Sequence, residues 1–292
     1  MEIQSLSICV PSKGCPNRCP FCVSRQHDER WKAPSDFVYE RDLIRRMQFA
    51  RDNHCNTVVL TGTGEPMLNH DFFSVFGKIN CELTTPFQWI ELQTSGVTLN
   101  DTHLLDHLYD TGVSTISLSV ANIFSGEGNA DLMEIPAKLR FSLRELCKKI
   151  KDRGLNLRLS LNMTDLYNDR SPDEIFGAAQ LLGADQLTFR YLFENNGDSK
   201  QAQWVKGHRY DPDPEVQKTA LYLDPIKRYI VGEGRELETL PFGATRYSVH
   251  GISTVIDSDC MSVKADNVIR YLIIRENGKL YTKWDDEGSL LF

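Results

Sequence analysis

The chain has 292 residues, 41 % of them hydrophobic and 25 % charged, with a formal net charge of −7. Such a composition belongs to a globular protein with a continuous core and excludes a disordered or fibrous chain. No apolar run approaches the ~20 residues that span a bilayer, and the acidic balance argues against a broad phosphate-tracking surface, so nucleic acid and membrane are not the expected partners.

The N-terminal "MEIQSLSICV" lacks a basic region, and Ser5 and Ser7 interrupt its apolar residues. A secretory leader is therefore not expected, and the reading is cytoplasmic. In that compartment thiols stay reduced, so the eight cysteines read as ligands, nucleophiles or core filler rather than disulfides. Cys9, Cys55, Cys81, Cys147 and Cys260 are scattered, whereas Cys15, Cys19 and Cys22 are clustered. The basic run at Arg45 to Phe49 lies among acidic neighbours and reads as a solvated helical face.

In chain order, β-branched runs predict strands over 5–10, 57–62, 88–94, 114–120, 156–163 and 186–192. Helix-period segments fall between them near 36–52, 70–79, 101–111, 138–152 and 172–182, several opened by a capping residue such as Ser35, Asp101 or Ser171. Six strands alternating with helices predict a parallel sheet with right-handed crossovers, closed into a partial six-stranded α/β barrel of the TIM-like kind.

Four of these strands alternate strictly. Ile90 and Leu92 oppose Glu91 and Gln93; Ile116, Leu118 and Val120 oppose Ser117 and Ser119. Leu157, Leu159 and Leu161 oppose Arg158, Ser160 and Asn162, and Leu187 and Phe189 oppose Thr188 and Arg190. A parallel sheet covered on both faces reads as continuous Val/Ile/Leu. Here the polar face must look into a hydrated or ligand-bearing lumen, since each unpartnered buried polar group costs roughly 1–3 kcal/mol. A one-sided open sheet wetted by solvent is the alternative.

Beyond residue 192 the rhythm changes. Residues 193–215 are polar and turn-rich, long enough for a lid with Trp204 as its anchor. A helix is predicted over 214–231, followed by strands at 246–256, 267–275 and 279–284. The last two are joined by Asn277-Gly278, a hairpin signal. The expected division is a barrel core over 1–192 and, over 193–292, a lid loop, a helix and an antiparallel C-terminal β extension packed on it. Cys260, His208 and His250 read as ordinary side chains, although Cys260 is placed where the extension could deliver a hydrogen donor.

"GCPNRCPFC", residues 14–22, follows the first strand with the spacing C-x3-C-x2-C. It lies in a loop at a strand's C-terminal end, where active sites of such folds occur. Gly14 tolerates unusual backbone angles, and Pro16 and Pro20 restrict the loop. Two ligand sets are open: an iron–sulfur cluster held by three thiolates with one iron left for another ligand, or a zinc ion completed by His27. The second strand ends in "TGTGEP", residues 61–66, whose Gly62 and Gly64 allow close approach to the backbone and whose Glu65 offers a carboxylate. It lacks the glycine spacing of dinucleotide or phosphate loops.

With "CPNRCPFC" and "GTGEP" in successive βα loops, residues 5–192 resemble the radical S-adenosylmethionine (radical SAM) superfamily. The motif is a single-cluster one, and no subfamily is identified. The departure is Thr63 standing between the two glycines. The resemblance implies that Cys15, Cys19 and Cys22 ligate a 4Fe-4S cluster and that Phe21 lies near the adenine of S-adenosylmethionine. It further implies that Gly62, Gly64 and Glu65 hold the amino group. Ser117 and Ser119, with Arg158 and Asn162, match strand positions that reach the ribose or carboxylate. Glu91, Gln93 and Arg190 are the substrate candidates, with an ion pair between Glu91 and Arg190 as the structural alternative.

The function implied is that of an oxidoreductase-type radical enzyme. One-electron cleavage of S-adenosylmethionine would give a 5′-deoxyadenosyl radical that takes hydrogen from a small molecule or peptide, with a flavodoxin- or ferredoxin-type electron donor. A glycyl-radical activase shares the same motifs, and a zinc-stabilised binding module is the non-catalytic alternative.

Overall fold

The computed structural model describes residues 2–12, 14–26, 40–194, 197–210, 224–240, 243–257, 268–284 and 286–292. Its framework is one sheet. β1 (Glu2–Cys9), β2 (Thr57–Thr61), β3 (Trp89–Thr94), β4 (Thr115–Val120), β5 (Asn156–Met163) and β6 (Gln186–Tyr191) pair in sequence order, all parallel. The helices between them are α1 (Glu40–Asp52), α2 (Asp71–Glu82), α3 (Thr102–Asp110), α4 (Gly126–Leu132), α5 (Leu143–Asp152) and α6 (Pro172–Leu181). The six strands sit within three residues of their predicted bounds, giving the mixed α/β fold with a parallel core of a partial TIM-like barrel.

Period explains the layering. Leu60, Leu92, Leu118, Leu159 and Phe189 alternate onto the helix-covered face and are fully buried. On α5 the buried positions Leu143, Leu146, Cys147 and Ile150 form one stripe at helical spacing. That helix starts at Leu143 rather than near 138, because Ser142 caps it by accepting the Glu145 amide. Asp101 caps α3 and Ser171 closes a capping box with Glu174 on α6, whereas Ser35 and the predicted start of the first helix lie outside the described residues.

Two helices escaped the sequence reading. The glycines of α4 lower its propensity, but Ser125 caps it and Asn129 accepts the amides of Ala121 and Asn122 at 2.7 and 3.2 Å. Within the segment expected to be a lid loop lies α7 (Lys200–His208), capped by Ser199. Of the helix predicted over 214–231, the described part is α8 (Asp224–Glu233).

The C-terminal elements are β7 (Arg235–Thr239), β8 (Thr245–Val249), β9 (Ile252–Asp257), β10 (Val268–Ile274) and β11 (Leu280–Tyr281). Antiparallel pairing is present at β7–β8–β9 and β10–β11, but the strands that join the extension to the barrel run parallel: β9 beside β6 and β10 beside β1. The strand predicted over 246–256 is a hairpin, bent at His250 and Gly251, both with positive φ as tight hairpin turns require. The Asn277-Gly278 turn forms as expected, with the Gly278 amide on the Arg275 carbonyl at 2.8 Å. Among the described residues no helix is long and apolar enough to cross a membrane.

Candidate active site

Parallel pairing puts the loops after β1 and β2 side by side at the C-terminal end of the sheet, and the backbone shows how closely they meet. The Glu65 amide donates to the Gly14 carbonyl at 2.9 Å, and the Val10 amide donates to that of Thr61 at 2.6 Å. The Asn69 side chain donates to the Pro11 carbonyl at 2.6 Å. A β-carbon on Gly64 would fall 2.2 Å from the Gly14 oxygen and 2.6 Å from Ser12 Oγ, so only glycine permits this approach. Gly14 itself has φ of 114°, the left-handed region anticipated for it. A β-carbon on Gly62 would lie 3.2 Å from the Val10 oxygen.

Cys15, Cys19 and Cys22 are free thiols on the first of these loops. The Cys22 amide bonds the Cys19 carbonyl at 3.2 Å, and Cys22 then caps a short 3-10 turn over Val23–Arg25 whose Arg25 donates to the Asn17 carbonyl at 2.7 Å. Cys15 is exposed at its edge, yet the crowding loop still desolvates its sulfur and pushes the thiol up to about 11; the charges of Glu65 and Cys22 add to this, while the Asn17 amide opposes it. Burial pushes Cys19 up to about 12, with Cys22 and Cys15 adding to it. The three sulfurs thus lie within electrostatic reach of one another.

The resemblance drawn from the sequence implies a cluster, and the donor set fits one. One loop supplies three thiols at C-x3-C-x2-C spacing, and between the first two lies Asn17, only 2 % exposed, whose side-chain oxygen and nitrogen both lack a hydrogen-bond partner among the described residues. Among the described residues no three His, Cys, Asp or Glu side chains are arranged to hold a single metal ion, and His27 lies outside them.

Packing fixes the loop from above. Phe21, 7 % exposed, joins Val97, Ala121, Met133, Leu192 and Val205 in a small apolar cluster, and its ring stands 5.8 Å from that of Trp204. Trp204 on α7 is therefore an anchor of the thiol loop, with His208 stacked on its far face. The Cys19 thiol donates to the Met133 carbonyl at 3.3 Å. His250 contacts Tyr229 Oη at 2.8 Å, away from the thiol loop.

Glu65 is 2 % exposed and held from β3's end: Oε1 accepts from Thr94 Oγ1 at 2.5 Å, and Oε2 from the Ser95 amide at 2.9 Å and hydroxyl at 2.6 Å. Sequence reasoning missed Thr94 and Ser95, although polar residues directly after a strand-end Gln were the signal available.

Inside the sheet, Gln93, Ser119, Asn162 and Arg190 are each the next-to-last residue of their strand, near the C-terminal mouth and half-buried. In register, Gln93 stands beside Ser117, Ser117 beside Arg158 and Asn162 beside Arg190, while Glu91 lies two residues earlier on β3. One expectation changes here: the anticipated Glu91–Arg190 pair is replaced by one between Glu91 and Arg158, which also donates to Gln186 Oε1 through Nε at 2.7 Å. Arg158 stands on β5, two strands from Glu91, whereas Arg190 stands one strand further and donates to Ser160 Oγ at 2.8 Å. Glu91 also accepts from Gln93 at 3.2 Å. The Ser117 hydroxyl is buried without a partner among the described residues. Cys260 lies outside them.

A parallel α/β sheet of partial-barrel type brings a three-thiol loop and a glycine–glutamate turn into backbone contact at its C-terminal mouth. A family model described as the radical SAM superfamily matches residues 9–182, more than half of the chain. The chain belongs to that superfamily and is an enzyme; membership implies a 4Fe-4S cluster and S-adenosylmethionine.

Among curated proteins, it is 27 % identical over 145 residues to the probable dual-specificity RNA methyltransferase RlmN of Chlorobium phaeobacteroides (strain BS1), covering 48 % of this chain and 39 % of that one. It is 37 % identical over 67 residues to the dual-specificity RNA methyltransferase RlmN of Magnetococcus marinus, covering 22 % and 19 %. The chain spans well under half the length of these two relatives. The solved structure of native anSMEcpe with bound AdoMet matches with a TM-score of 0.66 at 14 % identity, covering 99 % of this chain and 77 % of that one. At that identity the likeness speaks to the fold.

Proposed function

We propose that the chain uses Cys15, Cys19 and Cys22 to hold a 4Fe-4S cluster and the Gly62–Glu65 turn to bind the amino group of S-adenosylmethionine, acting on a small molecule or peptide. The observation that carries this is the backbone contact of Gly64 with Gly14, which fixes the carboxylate turn against the thiol loop. Held by Cys15, Cys19 and Cys22, the cluster would supply the one-electron reduction that breaks the S–C5′ bond of the sulfonium, with methionine leaving, and so makes hydrogen abstraction from the substrate available.

The chain's residues do the rest. Thr94 and Ser95 orient the Glu65 carboxylate toward an ammonium group. Phe21 supplies an apolar wall for the adenine, and Ser117, Ser119 and Asn162 line the lumen as ribose or carboxylate partners. Gln93 and Arg190 at the mouth favour a substrate bearing a carbonyl or anionic group. Residues 1–192 form the core of this enzyme and 193–292 its extension, with electrons from a flavodoxin- or ferredoxin-type donor and a cytoplasmic location.

RNA is the substrate class in the names of two relatives, but the net charge of −7 weighs against a phosphate-binding surface here. The test is anaerobic reconstitution. Brown protein with about four iron and four sulfide per chain, releasing 5′-deoxyadenosine from S-adenosylmethionine on reduction and losing this on Cys19→Ala, supports the assignment. Zinc without sulfide, or unchanged turnover in Cys19→Ala, overturns it. Metabolite, peptide and RNA fractions that stimulate release then identify the substrate class.

A further inference from the structure

The turn that carries Glu65 is gripped from three sides, and the third grip comes from the far end of the sequence. Gly64 and Glu65 hold the thiol loop through Gly14, and the Glu65 carboxylate is held by β3's end. Thr63, the residue between the glycines, turns the other way. Its hydroxyl donates to Glu276 Oε1, and its amide points to the same oxygen at 3.3 Å.

Glu276 is 5 % exposed, an unusual place for a carboxylate unless hydrogen bonds hold it there. Its backbone has no freedom to drift. It is the first central residue of the β10–β11 turn, whose Gly278 amide bonds the Arg275 carbonyl and whose Arg275 amide bonds the Lys279 carbonyl. The neighbouring Arg275 lies with its guanidinium 3.7 Å from the centre of the Tyr281 ring and donates to the carbonyls of Lys283 and Trp284 at 3.0 and 2.8 Å. β10 itself runs parallel to β1, in register from Glu2–Val268 to Ile8–Ile274, and so delivers Glu276 to the end of the strand that launches the thiol loop.

We propose that Glu276 is a positioning residue for S-adenosylmethionine: through Thr63 it sets the Gly62–Glu65 turn in the orientation that presents its backbone and the Glu65 carboxylate to the amino group. The C-terminal extension then completes the cofactor site rather than merely covering it. This rests on the assignment of the turn to the amino group made above.

The test measures equilibrium binding of S-adenosylmethionine to the anaerobic, oxidised, cluster-loaded full chain, with iron and sulfide counted in every variant. Thr63→Val and Glu276→Ala should each weaken binding by about tenfold, the scale of one hydrogen bond to a charged group. The double variant should be no weaker than the poorer single one, and cluster content should be unchanged. Glu276→Gln keeps an acceptor for Thr63 and should stay within about threefold of wild type, as should Thr63→Ser. Should Glu276→Ala fail to fold, the contrast of Thr63→Val with Thr63→Ser decides alone. Wild-type binding in Thr63→Val, or losses that multiply in the double variant, overturns the proposal. Cluster-loaded wild type that binds no S-adenosylmethionine overturns instead the assignment of the turn.

Discussion

Gly64 stands so close to Gly14 that a β-carbon on the one would lie 2.2 Å from the carbonyl oxygen of the other. Backbone, not a flexible side-chain tip, is in the way, so the added methyl must separate the two loops. Gly64→Ala should cost about 1–3 kcal/mol of stability, as overpacking does, and weaken S-adenosylmethionine binding by at least about tenfold. Calorimetry and anaerobic dialysis check this; unchanged binding would show that the contact does not organise the site.

The Glu65 carboxylate depends on β3's end for its orientation. Thr94→Val with Ser95→Ala removes two hydroxyl donors but leaves the Ser95 amide. S-adenosylmethionine binding should fall by about ten- to a hundredfold, with iron content retained. Thr98→Val is the control: its hydroxyl is buried without a partner among the described residues, so the change should leave binding as it is.

Arg158 and Glu91 form a pair in which the acid is 8 % exposed and the base 25 %. Arg158→Leu strands a buried carboxylate and should lower unfolding free energy by about 3 kcal/mol. Glu91→Gln with Arg158→Leu should recover part of that loss. Urea titrations of the wild type and the two variants decide it, and a double variant as unstable as Arg158→Leu would remove the pair from the account.

Burial pushes the Cys147 thiol on α5 from an ordinary 9.0 up to about 12. Its folded form keeps a proton that the unfolded chain releases above about pH 9, so the unfolded state binds fewer protons and stability falls as pH rises from there towards 12. Between pH 8 and 10 the wild type should lose about 1 kcal/mol more than Cys147→Ala. Parallel loss in both, measured by urea midpoints, would mean that Cys147 does not carry this dependence.

Much of the barrel was legible because burial imposes period. The alternation of Leu157, Leu159 and Leu161 with Arg158, Ser160 and Asn162 can be satisfied only by a strand with one covered face. The thiol loop and the Gly-Thr-Gly-Glu turn were legible because spacing along the chain, with parallel neighbours, fixes proximity. The glycine-bearing α4 and polar α7 were not, since the glycines of α4 lower its propensity and α7 shows little apolar stripe, so that tertiary contacts at Asn129 and Trp204 fix them. The ion pair weighed for Glu91 and Arg190 falls instead between Glu91 and Arg158, because parity tells which face a side chain takes but not which neighbour on that face it reaches.

By itself, the sequence determined the sheet's six-strand core, its polar lumen and the adjacency of its two motif loops, all consequences of short-range periodicity and strand order. Only the tertiary structure decided that β9 and β10 join that core in parallel, that Arg158 belongs to Glu91, and that Glu276 reaches Thr63 across 213 positions of sequence. Those are long-range pairings of strands and of single polar groups. Their energies depend on register and depth, which no local pattern encodes.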